Sequence, residues 1–309
     1  MSSTPFELLV NPPQEVFDQL IQKAAETDGW AHQPYDYPFY KENFDDYWYF
    51  AIVEKGTLNL ICGACLAKWD KMYSIGLYYC LEKYRGQGFG SKIFKEIMDI
   101  VGDSEACLTG AIDMIDKYAK YYGFDKMCNY WYLHSTIQMA DFKIPESLKT
   151  SGTITTKNWK DVTPEDWNTY DSKICAKDRK NLMQNWFKMD QVYTRVAFDE
   201  TGRIVGYGTI RVVNLNRLCA CPVYADSLEV AERLLVDILA EIPNFKEKFE
   251  NLFFWHPETN KNVGKLLENF SIDKKFTMEV DFKTQFRNEF IDVPQEKVYS
   301  VACSTHQFA

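Results

Sequence analysis

Along the first half of the chain, short apolar runs alternate with segments whose apolar residues recur every three or four positions. Residues 6–10 read as a short strand. Residues 14–27 read as an amphipathic helix with Val16, Leu20, Ile21 and Ala24 on one face. An aromatic loop spans 30–44 and carries Tyr35, Tyr37, Phe39 and Tyr40. Three strand-like runs follow at 47–54, 58–69 and 72–80, the first ended by a Lys55-Gly56 turn. Residues 91–101 have Ile93, Phe94, Ile97 and Met98 at helical spacing. A strand at 107–112, a helix at 114–122 and a final strand at 127–133 complete the half.

The second half repeats this order. Helices are predicted at 163–174 and 178–189, and strands at 191–198, 204–213 and 217–223. A helix at 228–241, a strand at 251–255, a helix at 262–269 and a strand at 276–282 follow. Leu60-Ile-Cys-Gly-Ala-Cys-Leu66 after the Gly56 turn resembles Ile204-Val-Gly-Tyr-Gly-Thr-Ile210 after Gly202. Gly63 and Phe124 are 61 positions apart, and Gly206 and Phe270 are 64 apart. This reads as a tandem duplication. Periodicity breaks between Phe142 and Thr156, which places one domain at 1–148 and a second at 149–309. Each domain is an α+β unit, a mixed and mostly antiparallel sheet flanked by helices.

Composition narrows the classes of function. The chain has 309 residues, 46% hydrophobic and 26% charged, enough to bury a sizeable core. Its net charge of −9 argues against nucleic acid and against a polybasic membrane surface as partners. No apolar stretch is long enough for a membrane span, and the first residues lack the basic and apolar regions of a signal peptide. The nine cysteines therefore read as reduced thiols in a cytoplasmic protein. Cys62 and Cys65 sit three apart on a strand and face opposite sides, and Cys219 and Cys221 lack a second ligand pair, so no metal is expected.

The segment that carries chemistry is Leu77-Tyr-Tyr-Cys-Leu-Glu-Lys-Tyr-Arg-Gly-Gln-Gly-Phe-Gly-Ser-Lys-Ile-Phe94. A strand runs into a glycine-rich turn that opens onto an amphipathic helix. Unpaired amides at a helix N-terminus, backed by the macrodipole, make an anion site. Gly86, Gly88 and Gly90 let backbone approach a diphosphate, and Arg85, Lys92 and Lys95 add positive charge in an otherwise acidic chain. A Walker loop would need Gly-Lys-Ser/Thr, whereas Gly90-Ser-Lys92 has another order. A dinucleotide fold would place this turn in a parallel unit, whereas three closely connected strands precede it here.

Arg85-Gly-Gln-Gly-Phe-Gly90 resembles the Arg/Gln-x-x-Gly-x-Gly/Ala signature of the GCN5-related N-acetyltransferases (GNAT), at the place that family has it, between the fourth strand and the third helix. Tyr122-Gly-Phe124, about 35 residues on, resembles the Gly-Phe that closes the family's last helix. The second half resembles a degenerate YitH-type acetyltransferase-like domain, in a tandem arrangement associated with nematode sequences. Its carriers are Arg203-Ile-Val-Gly-Tyr-Gly-Thr-Ile-Arg211, Pro222-Val-Tyr-Ala-Asp226 and Lys297-Val-Tyr-Ser300. Where the first half has its glycine loop, the second has Cys221-Pro-Val-Tyr-Ala-Asp-Ser227, with Asp226 of the wrong charge for phosphate, and Asp226 or Ser227 suited to cap the next helix.

The resemblance implies one acetyl-CoA site per chain, in the first domain. Its diphosphate would lie on Arg85, Gly86, Gln87, Gly88, Phe89, Gly90 and Ser91, and its pantetheine beside backbone groups at Tyr78 and Cys80, where an N–H would polarise the thioester carbonyl. A small primary amine would attack directly in a ternary complex. The family's acid is commonly a tyrosine four residues before the closing glycine; that position is Ala119 here, which leaves the neighbouring Tyr118 as the candidate acid or as a core residue. His32 and Tyr73 are candidate bases, and the 30–44 loop falls where the family builds its acceptor pocket. Two other readings stay open: acyl transfer like that of the glycine N-acyltransferases, for which Tyr78 and Tyr79 leave little room, and a non-catalytic acyl-CoA sensor or scaffold, favoured by Ala119. The chain would be a monomer or a homodimer.

Overall fold

The structure is a computed structural model that describes residues 5–148 and 152–306; positions 149–151, inside the segment read as the domain junction, lie outside the described residues. The chain forms two compact units. The first comprises 5–127 together with 284–290 and 305–306, and the second comprises most of 128–283 and 291–304.

In the first unit, strand β1 (Phe6–Val10) leads through Pro12-Pro13 into helix α1 (Gln14–Asp28). Val16, Phe17, Leu20, Ile21, Ala24 and Ala25 form its buried face, and Gly29, left-handed at φ 70°, ends it. Residues 30–44, expected to be a loop, include a helix, α2 (Asp36–Asn43). Pro38 hid it, but in the first turn a proline forfeits only an N–H that has no helical partner. Strands β2 (Asp46–Glu54), β3 (Leu60–Trp69) and β4 (Met72–Cys80) form an antiparallel meander with β1. Helix α3 (Phe89–Val101), strand β5 (Glu105–Ala111), helix α4 (Ile115–Tyr122) and the two-residue strand β6 (Lys126–Met127) follow. α3 sends Phe89, Ile93, Phe94, Ile97 and Val101 into a core shared with Ile52, Ile61, Ala64, Leu66 and Leu108.

The second unit begins with β7 (Tyr132–Gln138) and β8 (Thr155–Asn158), helices α5 (Pro164–Asp171) and α6 (Lys180–Lys188), and strands β9 (Val192–Phe198), β10 (Ile204–Val213) and β11 (Arg217–Ala225). It continues with α7 (Leu228–Leu239), α8 (Phe245–Lys248), β12 (Asn251–Pro257), α9 (Lys261–Phe270), β13 (Thr277–Phe286) and β14 (Val298–Ser300). Ser227 caps α7, accepting from the Val230 amide at 3.4 Å. The paired α5 and α6 stand on β10 as α1 and α2 stand on the first meander. Between them Arg179 and Asp171, both buried, form a two-pronged ion pair with bonds of 2.8 and 2.7 Å.

The last strand of the first half differs from expectation. Residues 126–127 pair with Phe286 and Gln285, while of the run read as 127–133 only Tyr132 and Leu133 enter β7, which pairs antiparallel with β12. Alternation in a sequence identifies a strand but not its neighbour. Each unit thus completes its sheet with a strand from the other half of the chain.

Candidate functional site

β4 is where the first unit opens. Its parallel ladder with β5 joins Met72–Ile75 to Glu105–Leu108, and from Gly76 the two strands part. The cause is local. Leu77 is left-handed at φ 52°, and the register with β3 slips between Gly76 and Tyr79, so β4 bulges there. The bulge sends Tyr78 to one face of the sheet, against Phe94 and Tyr118, and Tyr79 to the other, against Trp30. The Tyr79 hydroxyl lies 2.7 Å from Thr27 Oγ1.

The far end of β4 delivers the chain to the glycine turn. Tyr84 is pinned by its hydroxyl to Glu54 and packs edge-on against Phe89, which also meets Phe6. Phe89 is buried, so it offers the site an amide but no side chain. Arg85, Gly86, Gln87, Gly88 and Ser91 are exposed. Gly86 and Gly88 are left-handed (φ 77° and 83°), and no atom lies within 4 Å of where a Cβ would stand on either. No side chain caps α3, so the amides at its start face outward, backed by the dipole of a 13-residue helix. Gly90 has a different reason to be glycine: a Cβ there would overlap the Tyr78 hydroxyl. The Arg85 Nε donates to the Cys80 carbonyl at 3.0 Å, and its guanidinium lies 3.7 Å from Asp28. Lys95 is paired with Asp99, so it adds less free charge to the turn than the sequence suggests.

Cys80 pairs across strands with Cys62. The Cys62 thiol donates to it, and the Arg85 charge adds to the effect, so the Cys80 thiol is held below the ordinary range while this pairing, and then burial, push Cys62 up. Tyr118 is buried on α4 with its ring stacked on Phe94 at 5.4 Å; burial, then Tyr78, pushes its hydroxyl far above the usual range. Tyr73, at the start of β4 beside Trp48, lies before the parting. Among the described residues, no three His, Cys, Asp or Glu side chains converge to hold a metal, and no helix is long and apolar enough to cross a membrane.

His32, by contrast, stands in an arrangement. Its Nδ1 lies 3.1 Å from Asp36 Oδ2 and its Nε2 lies 3.0 Å from Thr305 Oγ1. The four-residue spacing of His32 and Asp36 was visible in sequence; Thr305, almost three hundred residues away, gave no signal.

In the second unit the matching parting is filled. β11 pairs in parallel with β12 only over Leu218–Ala220, and a register slip near Cys221-Pro222 marks the corresponding bulge. β14 lies there, pairing with Val223 and Tyr224 of β11. The Ser300 hydroxyl donates to the Ala220 carbonyl (2.6 Å) and accepts the Trp255 amide (3.0 Å), while the Val301 amide reaches the Trp255 carbonyl (2.8 Å).

A meander with a bulged strand, a parting beside it and a helix that follows is present in both units, with the glycine turn in the first, and this is the GNAT acetyltransferase fold. Residues 168–299 match the family model described as acetyltransferase (GNAT) domain. Residues 3–174, more than half of the chain, match the family described as protein of unknown function (DUF1248), and the chain belongs to that family. An uncharacterized protein of Caenorhabditis elegans is 24% identical over 310 residues, covering 94% of this chain and 93% of that one. Among solved structures, a putative acetyltransferase from Pyrococcus horikoshii superposes with a TM-score of 0.69 at 15% identity, over 99% of this chain and 97% of that one. A tandem GNAT protein from the clavulanic acid biosynthesis pathway gives 0.63 at 12% identity, over 92% and 100%. A GCN5-related N-acetyltransferase from Sphaerobacter thermophilus gives 0.61 at 12%, over 97% and 98%.

Proposed function

We propose that the protein is a cytoplasmic N-acetyltransferase that moves acetyl from acetyl-CoA to a small primary amine, with one site per chain, in the first domain. The second domain, of the degenerate YitH type, carries no site in this reading. The observation that carries it is the contrast between the two partings: the first lies beside an uncapped, glycine-lined helix start, and the second is taken by β14.

In this reading the amides at the start of α3, with Arg85, hold the diphosphate. The pantetheine runs along β4 beyond Ile75, where backbone groups freed from the ladder can bond it, and the bulge at Leu77 and Tyr78 aims a backbone donor at the thioester oxygen. The amine enters from the face carrying Tyr79, Trp30 and His32 and attacks the carbonyl directly. Tyr118 keeps its proton throughout the neutral range, as a donor to the departing thiolate must, and its ring packs beside that of Tyr78. Tyr78 and Tyr79 flank the bulge on both faces, which favours acetyl over the longer groups of a glycine N-acyltransferase-like enzyme.

The test is thiol release from acetyl-CoA across a panel of small primary amines, with Gly88→Glu as control. Gly88 faces open space, so the substitution keeps the fold at a cost of about 1 kcal/mol for the left-handed backbone while placing a carboxylate in the anion site. Amine-dependent release that the variant loses supports the proposal. Binding without turnover on any amine moves the reading to an acyl-CoA sensor.

A further inference from the structure

The tail of the chain ends in an arrangement of catalytic type. Thr305 Oγ1, His32 and Asp36 form a relay, with steps of 3.0 Å to Nε2 and 3.1 Å from Nδ1 to Oδ2. His32 is 4% exposed and Asp36 is fully buried, whereas Thr305 is partly exposed. The proton positions follow from the partners. A carboxylate only accepts, so Nδ1 carries a hydrogen, and in the neutral ring Nε2 is the acceptor to which the Thr305 hydroxyl donates. Asp36 also accepts the Gln33 amide at 3.0 Å, which fixes its orientation.

A second observation, independent of the relay, places Thr305. Gly76 is the β4 residue at which β4 and β5 part, next to the left-handed Leu77. A Cβ on Gly76 would come within 2.7 Å of both the Thr305 methyl and its carbonyl oxygen. Glycine there lets Thr305 lie directly on the strand where β4 and β5 part, which in the acyl-CoA reading is beside the thioester. The next residue anchors the tail: His306 is buried within an aromatic cage, its ring centre 5.0, 5.5 and 5.6 Å from those of Tyr40, Phe44 and Tyr47.

We propose that Thr305 is a self-acylation site, its hydroxyl activated by the His32–Asp36 dyad to accept the acyl group of an acyl-CoA bound in the first unit. The inference rests on the acyl-CoA reading of that unit. Thr305 Oγ1 bonds to the thioester carbonyl carbon as its proton passes to His32 Nε2; the carbon–sulfur bond breaks, and the proton returns to the departing thiolate. The products are a Thr305 ester and the free thiol of CoA, with no oxidation or reduction.

The test incubates the full chain with isotope-labelled acetyl-CoA and cleaves after Lys297. Fragmentation of the resulting 298–309 peptide separates an ester on Thr305 from a thioester on Cys303. Calorimetry on the same sample reports whether acetyl-CoA binds. The expected result is one hydroxylamine-labile acetyl group at Thr305, absent in Thr305→Val and formed about a hundredfold more slowly in His32→Gln. Binding with no label on Thr305 in the wild type overturns the inference and leaves the acyl-CoA site standing, as does labelling whose rate ignores His32. Absence of binding overturns both. The wild-type readout needs no variant to fold.

Discussion

Tyr78 and Gly90 show how much of the site depends on single contacts. The tyrosine ring lies across the start of α3, and its hydroxyl takes the space a Cβ on residue 90 would need. Gly90→Ala therefore overpacks the turn and lowers stability by about 1–3 kcal/mol, and adding Tyr78→Phe restores a large part of it in urea melts. Additive losses would show that the two residues do not meet. Cys80 offers a second check. It is the half-exposed thiol among nine free cysteines, the others being buried, and Cys62 and Arg85 hold it below the ordinary range. Its thiolate fraction persists to lower pH, so iodoacetamide modifies Cys80 first at neutral pH, and bound acetyl-CoA slows the reaction. Equal labelling of several cysteines would contradict this environment. The glycine turn was legible in the sequence because glycine spacing is local. The reason for Gly90 was not, because it lies in a side chain from another strand.

At the scale of elements, the strands and most helices were readable from periodicity, since each buries one face. What periodicity leaves out is which strand lies beside which. The run at 127–133 was read as one strand closing the first half, but its end opens β7, which pairs with β12, and Lys297-Val-Tyr-Ser300 was noticed for its resemblance and not as a strand. Beside the β14 ladder, the strand-filled parting in the second unit is reinforced by the Ser300 hydroxyl, which joins β11 to β12 through two bonds. Ser300→Ala leaves the buried Trp255 amide without that acceptor and costs about 1–3 kcal/mol in thermal or urea melts. It also creates no second acetyl-CoA site, because the β14 backbone still lies in the parting. Unchanged stability would mean that the ladder alone holds β14 in place.

For the whole molecule, two fully buried histidines oppose acid most directly, alongside the half-buried His134, which burial also holds down to about 4. His306 is held down to about 3 by burial first, with the nearby His32 contributing, and His256 to about 4 by burial. Both lie below the unfolded value near 6.5, so the unfolded chain binds these protons first. Stability from these groups is therefore complete above about pH 6.5 and falls as the pH drops toward 4, by roughly 1.4 kcal/mol per pH unit for each ring. His306→Phe, which keeps a ring in the aromatic cage, lowers that slope by about one proton in urea melts between pH 6 and 4.5 (about the middle of the window). An unchanged slope would place the proton uptake elsewhere.

The duplication itself was legible, because Gly63 and Gly206 begin matching stretches that end at Phe124 and Phe270. The structural difference between the copies was only partly so: the missing glycine loop was visible, but the strand lying in the second parting was not. That difference is the centre of the account, and the stoichiometry of acetyl-CoA binding tests it most directly. Calorimetric titration should give one site per chain in the wild type and none in Gly88→Glu. Two sites, or one that survives the substitution, would contradict the assignment to the first unit; no binding to the folded wild-type chain would remove the acyl-CoA reading altogether.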